Sequence, residues 1–570
     1  MRTGIHNDKF SVHAIAGTHV ITLAFDAKEN AAKKLMGFAI FRTKFDSDGA
    51  PLNEGEWMTG YKPFEKDVPE PPKGVKYLMN LYPWQSFVWA DFAIEPNRSY
   101  EYKVYPVTGK YGKMKLENEL VIPVTPEKTN DKKHEVFFNR GASASQAYAE
   151  HFDNIKPNDE SLSASEKAKR MKWLSRGLFE AVKDFIEQAK DSTYGLRAAI
   201  YELDYPEIPR LFKAAVDRGA DIKIIYEARE EENQTKQNQD ALTKAGLEIN
   251  DKAITFARKG TNGIPHNKFI ILLKNDEPEM VWTGSTNLSE GGIYGHSNVG
   301  HCIKDTTVAK EYLEYWKLLK NDPDKGTLAE KVSKRWPDIS INDYPKDRMS
   351  VVFSPRKGLK MLDFYADIFG SSESMSLITL PFNLDKKFVA KMKEDVSAVR
   401  YVILNSGKPK EAIAEEFKLD ADVIIAPGSK MDDGWGQWLE EIYPIKNGSN
   451  VLYIHDKFLL KDPLGPEPLV ITGSANFSEN STNANDENMV IIPCSNEVGK
   501  TRVQDIYLGE YFRLFDHLYY RYLHKINSET DELKKKKRFL KETPEEWVPF
   551  YYTEGTNRYK RRNNFSYGFE

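Results

Sequence analysis

The feature that most constrains this fold is an ordered set of polar residues that occurs twice, 189 positions apart. Each copy starts with a His-x-Lys sequence, at His266 and at His455, and a Gly-Ser-x-Asn sequence begins 18 positions later, at Gly284 and at Gly473. The copies align without a gap, although most residues between the shared positions differ. Packing alone would not demand identical polar residues there, so the repeat predicts two similar domains with a common function.

The shared side chains suit the binding of a phosphate. A His-x-Lys sequence on a strand directs both side chains to one face, because side chains alternate with period two. The Lys ammonium can bind a phosphate oxygen, and a Gly-Ser-x-Asn turn offers hydroxyl, amide and backbone N–H donors. Two facing half-sites would clamp one phosphodiester, with one imidazole attacking phosphorus and the other protonating the leaving oxygen. The candidate catalytic residues are therefore His266, Lys268, Ser285 and Asn287 in the first copy and His455, Lys457, Ser474 and Asn476 in the second.

The N-terminal part of the chain has the pattern of a β domain. Residues 1–126 contain short segments rich in aromatic and β-branched residues, separated by Pro, Gly, Asn and Asp, which predict a small all-β sandwich. Tyr100, Tyr102 and Val104 alternate toward one face, and this stretch resembles a strand of a fibronectin type III domain. Any other small sandwich fits the pattern equally well.

The rest of the chain predicts two α/β domains and a tail. Strands and helices alternate over residues 135–345 and again over 346–526, which is typical of α/β layers. The tail, residues 527–570, combines the basic run Lys534–Arg538 with aromatic residues such as Trp547. Such a segment can bind a nucleic-acid backbone and stack on bases. The alternative is a solvated charge run followed by an aromatic segment packed on a domain surface.

Composition excludes several classes of protein. A net charge of −4 over 570 residues predicts no general attraction to nucleic acid or anionic membranes, so any such attraction must be local. Only Cys302 and Cys494 are present, which excludes a disulfide framework and a cysteine-based zinc module. The N-terminus lacks the apolar run of a signal peptide, and no stretch approaches the roughly 20 apolar residues of a transmembrane helix. We therefore expect a cytoplasmic protein.

The repeated residues resemble the motifs of the phospholipase D superfamily. The family pattern is His-x-Lys, an Asp five positions after the Lys, and then Gly-Ser-x-Asn. The second copy matches it fully, including Asp462, which the resemblance adds to the candidate catalytic residues. Leu273 stands at the Asp position of the first copy. The resemblance covers about residues 135–525 and implies two tandem α/β domains forming a pseudo-twofold pair behind the β domain. It also implies a metal-independent phosphodiesterase with a phosphohistidine intermediate and without a cofactor.

A further motif distinguishes the two copies. Glu487 lies in a Glu-Asn element that follows the second motif, and in similar enzymes a carboxylate from this element orients the histidine of the other repeat. By that resemblance Glu487 would hold His266 in the tautomer that makes Nε2 a nucleophile, and His455 would be the general acid. The first copy lacks this carboxylate, so Ser297 or His296 is expected to take its place.

The motifs leave the substrate open, because members of the superfamily act on phospholipids and on nucleic acids. Two fused copies and an added β domain favour a phospholipid, with headgroup hydrolysis or transfer to an alcohol. A nuclease, for example in bacterial defence, is the main alternative, supported by the basic tail and by Arg258 and Lys259 just before the first motif. A non-catalytic phosphate-binding protein is the third. The sequence does not indicate protein partners.

Overall fold

The architecture comes from a computed structural model. Within the described ranges, no helix combines the length and the apolar character needed to cross a lipid bilayer. The described residues are 1–72, 75–141, 146–153, 155, 157, 159–230, 232–249, 253–260, 263–382, 384–405, 413–414, 416–417, 420, 422–428, 454–497, 499–526 and 538–566.

The N-terminal region is all-β, as predicted. One antiparallel sheet has the order β1-β2-β3-β8, and a second has the order β10-β9-β4-β5 with β11 also paired to β9. Side chains of both sheets form one core, in which Phe25 stacks on Phe38 at 4.4 Å between ring centroids. Tyr100, Tyr102 and Val104 alternate into this core. The elements are β1 (Arg2–His6), β2 (Phe10–Ala16), β3 (Ile21–Ala27), α1 (Glu29–Ala32), β4 (Leu35–Lys44), β5 (Glu56–Trp57), β6 (Thr59–Gly60), β7 (Tyr77–Leu78), β8 (Val88–Asp91), β9 (Tyr100–Lys110), β10 (Lys113–Leu116) and β11 (Leu120–Val124).

The first α/β domain contains a seven-stranded sheet with the order β12-β18-β17-β16-β13-β14-β15. Its central strands are nearly continuous apolar runs, because helices cover the sheet and bury both faces. The strands are β12 (His134–Phe138), β13 (Tyr194–Ile200), β14 (Asp221–Glu227), β15 (Thr255–Arg258), β16 (Lys268–Lys274), β17 (Glu277–Gly284) and β18 (Val299–Ile303). The helices are α2 (Gln146–Phe152), α3 (Ala164–Ser175), α4 (Leu178–Glu187), α5 (Glu207–Asp217), α6 (Asn233–Lys244), a π-helical turn (Gly291–Gly295), α7 (Thr306–Leu319) and α8 (Lys325–Arg335).

The second α/β domain repeats this topology. Its sheet has the order β19-β25-β24-β23-β20-β21-β22, in which every strand occupies the position of its counterpart in the first sheet. The predicted fold class of two tandem α/β repeats behind an all-β region is confirmed. The strands are β19 (Ser350–Ser354), β20 (Met375–Leu380), β21 (Val399–Asn405), β22 (Val423–Gly428), β23 (Phe458–Lys461), β24 (Leu469–Gly473) and β25 (Glu487–Pro493). The helices are α9 (Lys360–Gly370), α10 (Lys386–Met392), α11 (Glu479–Asn483) and α12 (Arg502–Ile526).

Helix α12 joins the domains. Its residues Tyr507, Tyr511 and Phe515 belong to one core cluster with side chains of both sheets. At the same junction Arg176 donates to Glu510 at 2.9 Å, and both side chains are buried. A buried ion pair is costly to break, so this contact favours one fixed arrangement of the domains.

The C-terminal segment packs on the β domain. Trp547 is buried in the core of the β domain, and its Nε1 donates to the backbone oxygen of Leu35 at 3.0 Å. Arg561 forms two hydrogen bonds of 2.8 Å with Asp516. These side chains are therefore engaged in packing, which agrees with the second interpretation of the tail; residues 534–537 of the basic run lie outside the described residues. The elements here are a 3-10 turn (Pro544–Glu546), α13 (Pro549–Tyr552) and α14 (Asn557–Ser566).

Candidate active site

The segments that carry the two histidines exchange backbone hydrogen bonds with the opposite domain. The backbone N–H of His455 donates to Ser297 at 3.1 Å, and the backbone N–H of Asp486 donates to Ile264 at 2.9 Å. Strand β16 begins at Lys268 and strand β23 at Phe458, so both histidines lie just before the central strands, where the chain pairs with the other domain. This reciprocal pairing brings both motifs to one interface.

The first histidine is held by the second domain. Nδ1 of His266 donates to the carboxylate of Glu487, at 2.9 Å to Oε2 and 3.1 Å to Oε1. Burial lowers the pKa of His266 to about 4, although the negative charge of Glu487 opposes this effect. The imidazole is therefore neutral near pH 7, with its proton on Nδ1 and a free lone pair on Nε2.

The second histidine is held by the first domain through a neutral partner. Nδ1 of His455 donates to Oδ1 of Asn298 at 2.9 Å. Nδ2 of Asn298 donates to the backbone oxygen of Gly292 at 2.8 Å, which fixes the orientation of the amide. Burial, together with the charges of Lys457 and Lys268, holds the pKa of His455 well below its usual value.

The expectation that Ser297 or His296 replaces the missing carboxylate is wrong. Ser297 accepts hydrogen bonds from the backbone N–H of His455, and the His296 ring lies beside the His455 ring at 6.0 Å between centroids. Asn298 takes the place instead, because the 189-residue offset that aligns the motifs also aligns it with Glu487. Continuing the ungapped alignment by a few residues would have identified it.

The two motif serines orient the partners of the histidines. The hydroxyl of Ser474 donates to Glu487 at 2.6 Å, and the hydroxyl of Ser285 donates to Asn298 at 2.8 Å. Both serines are completely buried. They were predicted as direct phosphate donors, but their hydroxyls are committed to these internal bonds.

The two motif lysines supply the positive charge. Nζ of Lys268 donates to the backbone oxygen of His266 at 2.8 Å, and Nζ of Lys457 donates to that of His455 at 2.7 Å. Burial lowers the pKa of Lys268 to about 8, while Glu487 and Glu202 favour its protonated form. Burial and the charge of Lys268 hold the pKa of Lys457 well below its usual value. Each ammonium lies at the same place in its half-site, as the repeat predicts.

The two motif asparagines retain unused hydrogen-bonding capacity. Among the described residues, Oδ1 of Asn287 and Oδ1 of Asn476 are buried and have no hydrogen-bond partner. Buried polar atoms in proteins are nearly always paired, and atoms left unpaired at a site often serve a ligand. These two amides are therefore candidates for contact with a substrate.

Asp462 lies away from the catalytic histidines and lysines. His455 precedes strand β23 and Asp462 follows it, so the two residues lie at opposite ends of the strand. The Asp462 carboxylate accepts hydrogen bonds from the backbone N–H groups of Glu373, Ser374 and Met375 at 2.9, 2.8 and 3.1 Å. The prediction of Asp462 as catalytic is therefore corrected to a structural role.

This structural role also explains why the first motif tolerates Leu273. The corresponding loop before β13 is held by its own Asp191, which accepts a hydrogen bond from the backbone N–H of Thr193 at 2.8 Å. Leu273 is buried in the core of the first domain. The presence of Leu273 in place of the motif Asp therefore leaves the half-site around His266 like that around His455.

The sequence did not reveal several residues beside the motifs. Tyr201 lies 5.3 Å from His266, and Phe382 lies 6.1 Å from His455, measured between ring centroids. The half-buried Glu202 accepts a hydrogen bond from Ser289 at 2.7 Å, and desolvation raises its pKa. These residues follow the strands next to β16 and β23, so only the sheet order places them at the site.

Arg258 is not available to a substrate. It is buried, and its guanidinium donates to Asp486 at 2.8 Å and to Asp322 at 2.7 Å. Arg258 therefore gives no support to the nuclease alternative.

Residues 182–319 and 370–504 match the family model described as "Cardiolipin synthase, PLD-like domain". These segments contain both His-x-Lys sequences and both Gly-Ser-x-Asn sequences. The two α/β domains belong to the phospholipase D superfamily. The chain is accordingly an enzyme that acts on phosphodiesters. A comparison with curated protein sequences gave no significant match.

Three solved structures are similar to parts of this chain. Phosphatidylserine synthase from Haemophilus influenzae Rd KW20 is 12% identical with a TM-score of 0.40, and the match covers 69% of this chain and 93% of the synthase. The phospholipase D family member Nuc from Salmonella typhimurium is 25% identical with a TM-score of 0.21, covering 25% of this chain and 87% of Nuc. Polyphosphate kinase from Porphyromonas gingivalis is 10% identical with a TM-score of 0.36, covering 55% of this chain but only 43% of the kinase.

Proposed function

We propose that the protein is a metal-independent phosphodiesterase that works through a phosphohistidine on His266 and removes the headgroup of a phospholipid. The observation that carries this proposal is the unequal pairing of the two imidazoles. His266 donates to the carboxylate of Glu487, whereas His455 donates to the neutral amide of Asn298. The two histidines therefore have different chemical roles.

The first step forms a covalent intermediate. Nε2 of His266 attacks phosphorus, so that a nitrogen–phosphorus bond forms and the bond between phosphorus and the leaving alcohol oxygen breaks. The phosphorylated imidazole keeps its proton on Nδ1 and is positively charged. Glu487 stabilises this charge, which favours His266 over His455 as the nucleophile.

His455 transfers the proton in both steps. The negative charge of a bound phosphodiester raises the pKa of this imidazole, so that its Nε2 can carry a proton to the leaving oxygen. Water, or an acceptor alcohol in a transfer reaction, then gives a proton to His455 and attacks phosphorus, which releases His266. The charges of Lys268 and Lys457 would stabilise the phosphoryl oxygens.

A phospholipid is favoured over a nucleic acid for three reasons. The matching family model is described by a phospholipid synthase. Two sequence features that supported a nuclease are also weakened, since Arg258 is bound to two carboxylates and Trp547 is buried in the β domain. The two motifs are also fused in one chain and need no second subunit to complete a site, which is the feature of the sequence that favours a phospholipid.

The substrate is tested by incubating the full chain, in EDTA, with labelled phosphatidylcholine and phosphatidylglycerol vesicles and with single- and double-stranded DNA and RNA. We expect headgroup release, and His455→Ala should lower its rate at least about 100-fold. Nucleic-acid cleavage without headgroup release would identify a nuclease. Equal rates for wild type and His455→Ala on every substrate would contradict catalysis at this site.

The assignment of the histidines is tested with a phosphodiester whose phosphorus is radiolabelled and whose leaving group is p-nitrophenol. This leaving group needs little protonation, so His455→Ala should still form the intermediate and then release it slowly. We expect acid-labile label on His266 in this variant and none in His266→Ala. Label on His455 in wild type or in His266→Ala would reverse the two roles.

A further inference from the structure

We infer that one face of the molecule, formed by the β6–β7 hairpin and helix α3, docks on an anionic lipid surface next to the active site. This inference rests on the proposed phospholipid substrate and names the physical form in which the enzyme meets it. The face is defined here by exposed apolar residues on the hairpin and by exposed lysines on the helix.

The hairpin is the apolar part of the face. Thr59 of β6 pairs with Leu78 of β7, and the backbone N–H of Leu81 donates to Leu78 at 3.1 Å. Leu81 is 56% exposed, and Leu78, Val75 and Tyr61 are also exposed. Three large exposed apolar side chains within residues 75–81 are typical of an interaction surface.

Helix α3 supplies the positive charge. Lys169 and Lys172 are exposed and three positions apart, so they lie on the same side of the helix. Among the described residues neither lysine forms an ion pair. Glu166, the acid nearest in sequence, closes the start of the helix by bonding to Ser163. On a chain with a net charge of −4, this pair is a local cationic site.

The two parts are joined through helix α2. Lys76, next to β7, forms an ion pair of 2.9 Å with Glu150 of α2. The adjacent His151 lies 5.4 Å from Trp173 of α3 between ring centroids. These aromatic rings and the two lysines line an open groove. The ion pair of Lys76 with Glu150 thus links the hairpin to the helix that borders this groove.

The face is also connected to the active site. Nε of Arg140 donates to the backbone oxygen of Trp173 at 3.0 Å. The next residue back along the chain, Asn139, donates to the backbone oxygen of His296 at 2.7 Å. The His296 ring lies beside that of His455. The face is therefore linked to the general acid through Arg140, Asn139 and His296.

The chemistry of the face favours a membrane over a nucleic acid. Peripheral membrane proteins combine basic residues with apolar side chains that enter the headgroup region. Single-stranded nucleic acids are instead held by aromatic stacking along a basic groove. The groove lined by His151, Trp173 and the two lysines suits either partner. The exposed side chains of Val75, Leu78 and Leu81 are aliphatic and offer no stacking surface, so only a lipid surface accounts for the hairpin as well as for the lysines.

The inference is tested by sedimenting the full chain with vesicles of phosphatidylcholine alone or mixed equally with phosphatidylglycerol. We expect binding to the mixed vesicles only. The double variant Lys169→Glu and Lys172→Glu should lower the partition coefficient at least about 25-fold, because each basic residue at an anionic surface contributes about fivefold and each Glu adds repulsion. The double variant Leu78→Ser and Leu81→Ser should lower it as well, without loss of folding, since both side chains are already exposed.

The matched control is Lys331→Glu with Lys334→Glu, two exposed lysines with the same spacing on helix α8. Equal losses for the two lysine pairs, or equal binding to neutral and anionic vesicles, would overturn the inference, as would binding of single-stranded RNA in place of vesicles.

Catalysis is separated from docking by His455→Ala, which should bind vesicles like wild type. Hydrolysis of dispersed short-chain phospholipid without vesicle binding would refute the docking face and leave the proposed function intact. Vesicle binding without hydrolysis of any phospholipid would refute the proposed function and leave the docking face intact.

Discussion

Glu487 of the second domain accepts a hydrogen bond from Nδ1 of His266 in the first domain at 2.9 Å. At the corresponding place across the pseudo-twofold axis, Asn298 of the first domain accepts from His455 at the same distance. The geometry of the two half-sites is thus repeated while the charge is not. This difference, between a carboxylate and an amide, turns two similar halves into a site with two distinct histidines.

Replacing Glu487 with Gln should lower kcat at least about 100-fold with little change in KM, because the amide cannot stabilise the cationic phosphoimidazole. The measurement is steady-state kinetics on a chromogenic phosphodiester. Glu479→Gln, a change of a partly exposed acid on α11, is the control and should match wild type. An unchanged kcat in Glu487→Gln would contradict the role of the carboxylate.

Replacing Asn298 with Asp should raise the pKa of His455 by about 1 to 3, since a negative charge would then face its Nδ1–H. Titration of the histidine ring signals by NMR measures this shift. Asn298→Ala removes the acceptor without adding a charge, so it should not raise the pKa. A rise in both variants would mean that the charge of residue 298 is not the cause.

The rate should fall at alkaline pH as Lys268 loses its proton. Its pKa is lowered to about 8 by burial, so kcat/KM should decrease above about pH 8, where the neutral amine no longer stabilises the phosphate. Lys268→Arg stays protonated and should move this decrease to higher pH, even if its maximum rate is lower. An alkaline limb at the same pH in both proteins would assign it to another group.

Asp462→Ala should reduce stability by about 3 kcal/mol, because three backbone N–H groups at Glu373, Ser374 and Met375 lose their acceptor. Urea unfolding measures the loss, and kcat per folded molecule should stay within about twofold of wild type. Asp462→Asn keeps one acceptor oxygen and tolerates the left-handed backbone at φ 42°, so it should be destabilised less. A large loss of kcat in a fully folded Asp462→Ala would restore a catalytic role.

The fold class and the central residues followed from the sequence because they depend on local or repeated patterns. Apolar periodicity indicated the α/β domains, and the ungapped repeat of His266 and His455 indicated that two halves share one site. The cross-domain partner Glu487 also followed from a motif. Each of these signals is contained in short segments whose order along the chain is preserved.

Only the tertiary structure decided which neighbours complete the site. Tyr201, Glu202 and Phe382 reach the histidines because β13 and β20 lie beside β16 and β23, a relation that has no fixed spacing in sequence. The burial of Arg258 and the docking of Trp547 in the β domain likewise depend on contacts between residues more than 200 positions apart.

The sequence by itself determined which chemical groups are present and repeated. Long-range packing determined which of them are charged, paired or exposed, because the pKa and the accessibility of a side chain depend on the surroundings that the folded chain builds around it.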